Sequence, residues 1–122
     1  MTMIKGIGVD IIELKRIEHA IEKNKRFYDR ILTEREKEMV KQFTTLHRKV
    51  EYTAGRFAAK EAYAKANGTG IGGALSFVDI EILPDENGKP EVYLKGKKCK
   101  TAFLSISHST QFVVAQVVIE ES

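Results

Sequence analysis

Arg56-Phe57-Ala58-Ala59-Lys60-Glu61-Ala62-Tyr63-Ala64-Lys65 reads as the middle of the longest helical signal in the chain. That signal runs from about residue 51 to 67, is rich in Ala, Lys and Glu, and meets Gly68 where a C-terminal cap is expected. At helical spacing Ala54, Phe57, Ala58 and Ala62 share one face, and Glu61 falls within it. A carboxylate on an apolar stripe is costly unless a basic group or a metal ion pairs with it. Lys65 lies four residues on, on the same face, whereas Lys60 points elsewhere.

Upstream, Gly6-Ile7-Gly8-Val9-Asp10-Ile11-Ile12 reads as a first strand over residues 4–12. Its two glycines leave room for another backbone or a ligand beside Asp10. Leu14, Ile17 and Ile21 then recur at helical spacing over residues 13–24. Thr33-Glu34-Arg35-Glu36 is a capping box opening a short helix through Met39, Val40 and Phe43.

Downstream, Gly68-Thr69-Gly70-Ile71-Gly72-Gly73 follows a helix and precedes a strand. Phosphate loops of the Walker and dinucleotide kinds run in the opposite order, so these glycines read as a connector whose N–H groups line a site at most. Phe77 to Leu83 alternates like a half-buried strand, Asp85-Glu86-Asn87-Gly88 signals a turn, and Pro90 to Leu94 returns as its partner. Residues 95–102 are basic and fit neither pattern. Phe103 to Ser107 and Phe112 to Ile119 read as two more strands. The order of strand, helices and strands predicts an α+β fold, a small antiparallel sheet against one long helix, in a single domain spanning residues 1–122.

Composition is that of an ordinary globular domain, with 43% hydrophobic and 30% charged residues and no Trp. At 122 residues, burial against further copies would add stability. The net charge of +3 includes a loose basic cluster at Lys15, Arg16, Lys23, Lys25, Arg26 and Arg30. That cluster fits an anionic partner or a solvated helix face. Cys99 is the sole cysteine, so no internal disulfide forms. No window is apolar enough to span a membrane, and the first residues lack a signal peptide's apolar core, so the expected location is cytoplasmic.

Asp10 and Glu61 are acids in apolar surroundings on separate elements. Two readings stand side by side: one divalent cation shared between them, or two separate salt bridges. Hard carboxylate oxygens without a Cys or His cluster suit Mg²⁺ better than Zn²⁺. Glu61 with Lys65 is either a surface ion pair or an acid–base pair beside that metal. His108, within Ser105-Ile106-Ser107-His108-Ser109, is either a turn residue or a phosphate contact. No Gly-x-Ser-x-Gly elbow supports a serine hydrolase.

Taken together, Gly6 to Ile12, Phe57-Ala58-Ala59-Lys60-Glu61-Ala62 and Ser107-His108-Ser109 resemble, in order and spacing, the 4′-phosphopantetheinyl transferases of the short holo-acyl-carrier-protein synthase type. The resemblance covers essentially the whole chain; many members carry Trp where this chain has Phe57. It implies transfer of the 4′-phosphopantetheine arm of coenzyme A to a serine of apo acyl carrier protein, with release of adenosine 3′,5′-bisphosphate. It also implies Mg²⁺, with Asp10 and Glu61 matching the metal ligands and Lys65 matching the lysine at the leaving phosphate. Glu61, or water on the metal, would take the serine proton. Lys89, His108, Arg56 and the backbone from Gly68 onward become candidates for coenzyme A contacts.

The resemblance further implies a homotrimer with sites at subunit interfaces, serving fatty-acid synthesis. Arg16, Lys23 and Arg26 would then dock an acidic carrier protein. The rival from another class is a basic nucleic-acid-binding module without catalysis. No helix-turn-helix signal or aromatic-basic RNA motif supports it.

Overall fold

In the computed structural model, which describes residues 3–122, the chain opens on strand β1 (Ile4–Glu13). Four helices follow: α1 (Leu14–Lys23), α2 (Phe27–Ile31), α3 (Glu34–Gln42) and α4 (Leu46–Asn67). The chain returns as strands β2 (Ile80–Pro84), β3 (Pro90–Leu94), β4 (Lys97–Lys98), β5 (Ala102–His108) and β6 (Phe112–Glu120).

The strands form two three-stranded antiparallel sheets, in the orders β1-β6-β5 and β2-β3-β4. The single sheet expected from the sequence is therefore divided. β1 leaves the chain first yet pairs with the last strand, a long-range contact that no local pattern announces. The basic segment 95–102 supplies β4, a two-residue edge strand that closes the second sheet.

The local signals act as read. Thr33 accepts a hydrogen bond from the Glu36 N–H while the Glu36 carboxylate accepts one from the Thr33 N–H, completing the capping box of α3. α4 starts five residues before the expected point, on a Thr45 cap, and ends at Gly68 in the left-handed conformation (φ 84°). One segment differs. Phe77–Asp79 is a 3₁₀ turn rather than the start of a strand, because the Asp79 carboxylate accepts from the Ser76 N–H at 2.9 Å. A side chain that bonds its own local backbone outcompetes the ladder there.

Helix α4 packs chiefly across β1 and β6. Its contact stripe consists of small residues: Ala54, Ala58 and Ala62 are wholly buried and Ala66 nearly so. A methyl group on Gly8 would overlap the Ala62 carbonyl, and one on Gly6 the Ala66 carbonyl. What the two glycines admit is thus the backbone of α4, which lies directly against β1.

The charge buried deepest on α4 is not Glu61 but Lys60, with no exposed surface. Its ammonium donates to Glu36 Oε1 and to the Ile31 carbonyl, both at 2.6 Å. Burial pulls the Lys60 ammonium below its ordinary pKa, and the Glu36 charge opposes the shift. Glu81, which the strand alternation places toward solvent, is also buried: Thr33 Oγ1 donates to it and Arg35 lies 3.7 Å away.

Alternation in the first sheet leaves its outer face uncovered. Ile7, Val9 and Ile11 of β1 are 50–60% exposed, and Phe103 of β5 is 47% exposed. Ile7 and Phe103 flank Val118 from either side of β6, and Ile11 sits opposite Val114. The result is a contiguous apolar surface.

Candidate active site

Two elements build the site. β1 carries Asp10 on its helix-facing side, in register with Ala115 and two residues beyond Gly8. α4 presents Glu61 and Lys65, one turn apart, to the same place. The close approach permitted by Gly6 and Gly8 is what brings helix and strand carboxylates into one electrostatic neighbourhood.

Lys65 Nζ donates to the Val9 carbonyl at 2.9 Å and to Asp10 Oδ1 at 3.2 Å. Its side chain is half exposed while that of Asp10 is largely covered. Glu61 is held above its ordinary pKa, first by burial and then by the negative charge of Asp10, with Lys65 and Arg16 pulling the other way. The site therefore contains two carboxylates that repel each other, with Lys65 bonded to Asp10.

That arrangement fits a divalent cation. Among the described residues no group of three or more His, Cys, Asp or Glu side chains converges as a metal cage. Two hard carboxylates in an open site match Mg²⁺, which keeps most of its ligands for water and substrate phosphates. A bound cation would also offset the repulsion between the two carboxylates.

Arg16, assigned from sequence to carrier docking, is an exposed residue of α1 whose charge acts on Glu61. Lys23 and Arg26 are exposed at and just beyond the end of α1. Arg56 turns the other way. Its guanidinium stacks over the Tyr52 ring at 4.1 Å, with Nε buried and unbonded, and its charge acts on Lys60 rather than on Glu61. An offset of five residues places Arg56 well round the helix from Glu61, which accounts for the separation.

The Gly68 N–H donates to the Lys65 carbonyl, and those of Thr69 and Gly70 to the Ala64 carbonyl. These three N–H groups cap α4. His108 ends β5 with its ring beside Gly55 of α4, and its charge acts on Glu51. Lys89 lies in the turn between β2 and β3, at a cleft of about 190 Å³ that Lys98 and Lys100 also line. Sequence reasoning left those two lysines unassigned; their signal was the basic run 97–100 beside a strand edge.

Residues 6–117 match the sequence profile of the 4′-phosphopantetheinyl transferase superfamily, and the chain belongs to that family. It is 55% identical over 119 residues to the holo-[acyl-carrier-protein] synthase of Listeria innocua, covering 98% of this chain and all of the relative. The Geobacillus enzyme of the same name is 59% identical over 118 residues, covering 97% and 98%. A crystal structure of the Bacillus anthracis holo-(acyl-carrier-protein) synthase in complex with CoA (3′,5′-ADP) superposes with a TM-score of 0.88 at 52% identity, covering 98% of this chain and 99% of that one.

Proposed function

We propose that the chain is a holo-[acyl-carrier-protein] synthase. In this reading it moves the 4′-phosphopantetheine arm of coenzyme A onto a serine of an apo acyl carrier protein and releases adenosine 3′,5′-bisphosphate. The observation that carries the reading is the Asp10–Glu61–Lys65 cluster in a chain of this family.

Asp10 and Glu61 are the proposed Mg²⁺ ligands. Bound there, the ion would neutralise phosphoryl oxygens and act as a Lewis acid on the pyrophosphate. Lys65, oriented by the Val9 carbonyl and Asp10, offers a fixed ammonium to the charge that develops on the leaving phosphate. Glu61 is the group of this chain placed to take the proton of the attacking serine. Lys89 and His108 are proposed contacts for further phosphates of coenzyme A, and the lysines beside Lys89 support that role. Arg56 joins them only if its side chain leaves Tyr52.

The exposed apolar face of the β1-β6-β5 sheet supports a homotrimer in which these separated groups meet across subunit boundaries. The proposed setting is the cytoplasm and the carriers those of fatty-acid synthesis; among the described residues no helix is long and apolar enough to cross a membrane.

The test mixes the protein with apo acyl carrier protein, coenzyme A and Mg²⁺ and weighs the carrier by intact-protein mass spectrometry. A phosphopantetheine-sized gain is expected, lost with EDTA and with Glu61→Gln. A folded protein that leaves several carriers unmodified would reject the reading.

A further inference from the structure

Lys60 adjoins Glu61 in sequence yet faces away from it, and every polar partner it has is structural. Its ammonium holds the Ile31 carbonyl at the end of α2 and Glu36 Oε1. The same Glu36 carboxylate accepts the Thr33 N–H at 2.9 Å and the Ile82 N–H at 2.7 Å. One buried ion pair thus ties α4 to α2, the start of α3 and β2.

Stability alone does not explain such a pair. Two fully desolvated charges repay their hydration only with excellent geometry, and a well-packed apolar pair is commonly as stable. What a hydrogen-bonded pair adds is direction.

On the β1 side of α4 the polar ties come from Lys65, through a long, half-exposed side chain that constrains the helix weakly. There a stripe of alanines rests on a strand relieved by Gly6 and Gly8. Methyl groups on a glycine surface have shallow relief, so they set the distance between helix and strand while resisting rotation of the helix poorly. Side-chain tips lie about 6 Å from a helix axis, so a roll of about 10° displaces a carboxylate by about 1 Å. Misplacement on that scale is enough to cost a reaction heavily.

We infer that the buried Lys60–Glu36 pair fixes the rotation of α4 about its axis and so places Glu61 opposite Asp10, making Lys60 and Glu36 positioning residues for the metal site; this rests on the transfer reading above.

The test compares wild type, the double variant Glu36→Gln/Lys60→Met, and Lys60→Arg. Fold is followed by circular dichroism. Transfer kinetics are measured with apo carrier and coenzyme A, and Mn²⁺ binding by electron paramagnetic resonance with coenzyme A present. The double variant removes both charges and leaves neither unpaired. It is expected to fold, to keep KM for coenzyme A within about twofold, and to lose about 10- to 100-fold in kcat and in Mn²⁺ affinity.

A folded double variant with wild-type kcat and Mn²⁺ affinity overturns the inference. Should the double variant fail to fold, Lys60→Arg decides: it keeps the charge and moves the donor, so the same two losses are expected, and wild-type values overturn the inference. Failure of both to fold also overturns it, since the pair is then needed for the fold itself. A wild type that neither transfers nor binds Mn²⁺ refutes the transfer reading instead.

Discussion

Glu61 and Asp10 are like charges that the fold brings together, and the glycines of β1 are the reason strand and helix come close enough for this. Gly8→Ala puts a methyl group into the Ala62 carbonyl, so strand and helix must separate. We expect a loss of about 1–3 kcal/mol from overpacking, read as a lower midpoint in denaturant. A larger proportional fall in transfer is expected because Asp10 and Glu61 part. Unchanged stability would mean that α4 does not lie against β1. Glu61→Gln should separate the two effects. It removes the repulsion from Asp10, so the metal-free variant should melt no lower than wild type although transfer stops.

The 3₁₀ turn at Phe77–Asp79 is a small element whose stability is coupled to protons. The Asp79 carboxyl sits below its ordinary value of 3.8, chiefly through the Ser76 N–H, then its hydroxyl and the Lys95 charge. A carboxylate with a depressed folded pKa stabilises the fold above its unfolded pKa, and that contribution is lost as pH falls through the folded pKa. Asp79→Ala should therefore lower the melting temperature at neutral pH, and the difference from wild type should shrink on acidification below 3.8. A difference independent of pH would sever the cap from the ionised carboxylate. Ring stacking of Phe57 on Phe77 at 5.1 Å links this turn to α4, so its loss should also be felt along the helix.

At the scale of the whole molecule, two surfaces await partners in the proposed reaction. Val9→Glu with Ile11→Lys places charges on the bare sheet face. The expected result is a smaller particle by light scattering, together with lost transfer, although Asp10, Glu61 and Lys65 are unaltered. Retained activity in a monomer would show that one chain suffices. Reversing Lys23 and Arg26 should slow association with an acidic carrier and weaken its salt dependence, with coenzyme A binding nearly intact. Arg16 belongs outside that experiment, because its charge also acts on Glu61. An unchanged association rate would remove these residues from docking.

By itself the sequence determined the features that neighbours along the chain decide. Thr33 with Glu36, Gly68 at φ 84°, the turn at Asn87-Gly88, the long α4, and the presence of Asp10 on a strand and Glu61 on a helix all follow from spacing and local hydrogen bonding. Only the tertiary structure decided which charge of Lys60-Glu61 is buried, that Glu36 caps a helix and also neutralises a lysine 24 positions away, that Arg56 turns to Tyr52, and that the glycines of β1 make room for α4. Periodicity assigns a residue to a face of its own element, but what lies across from that face depends on how distant elements pack. A side chain's partner, and with it the cost of burying its charge, is settled only there.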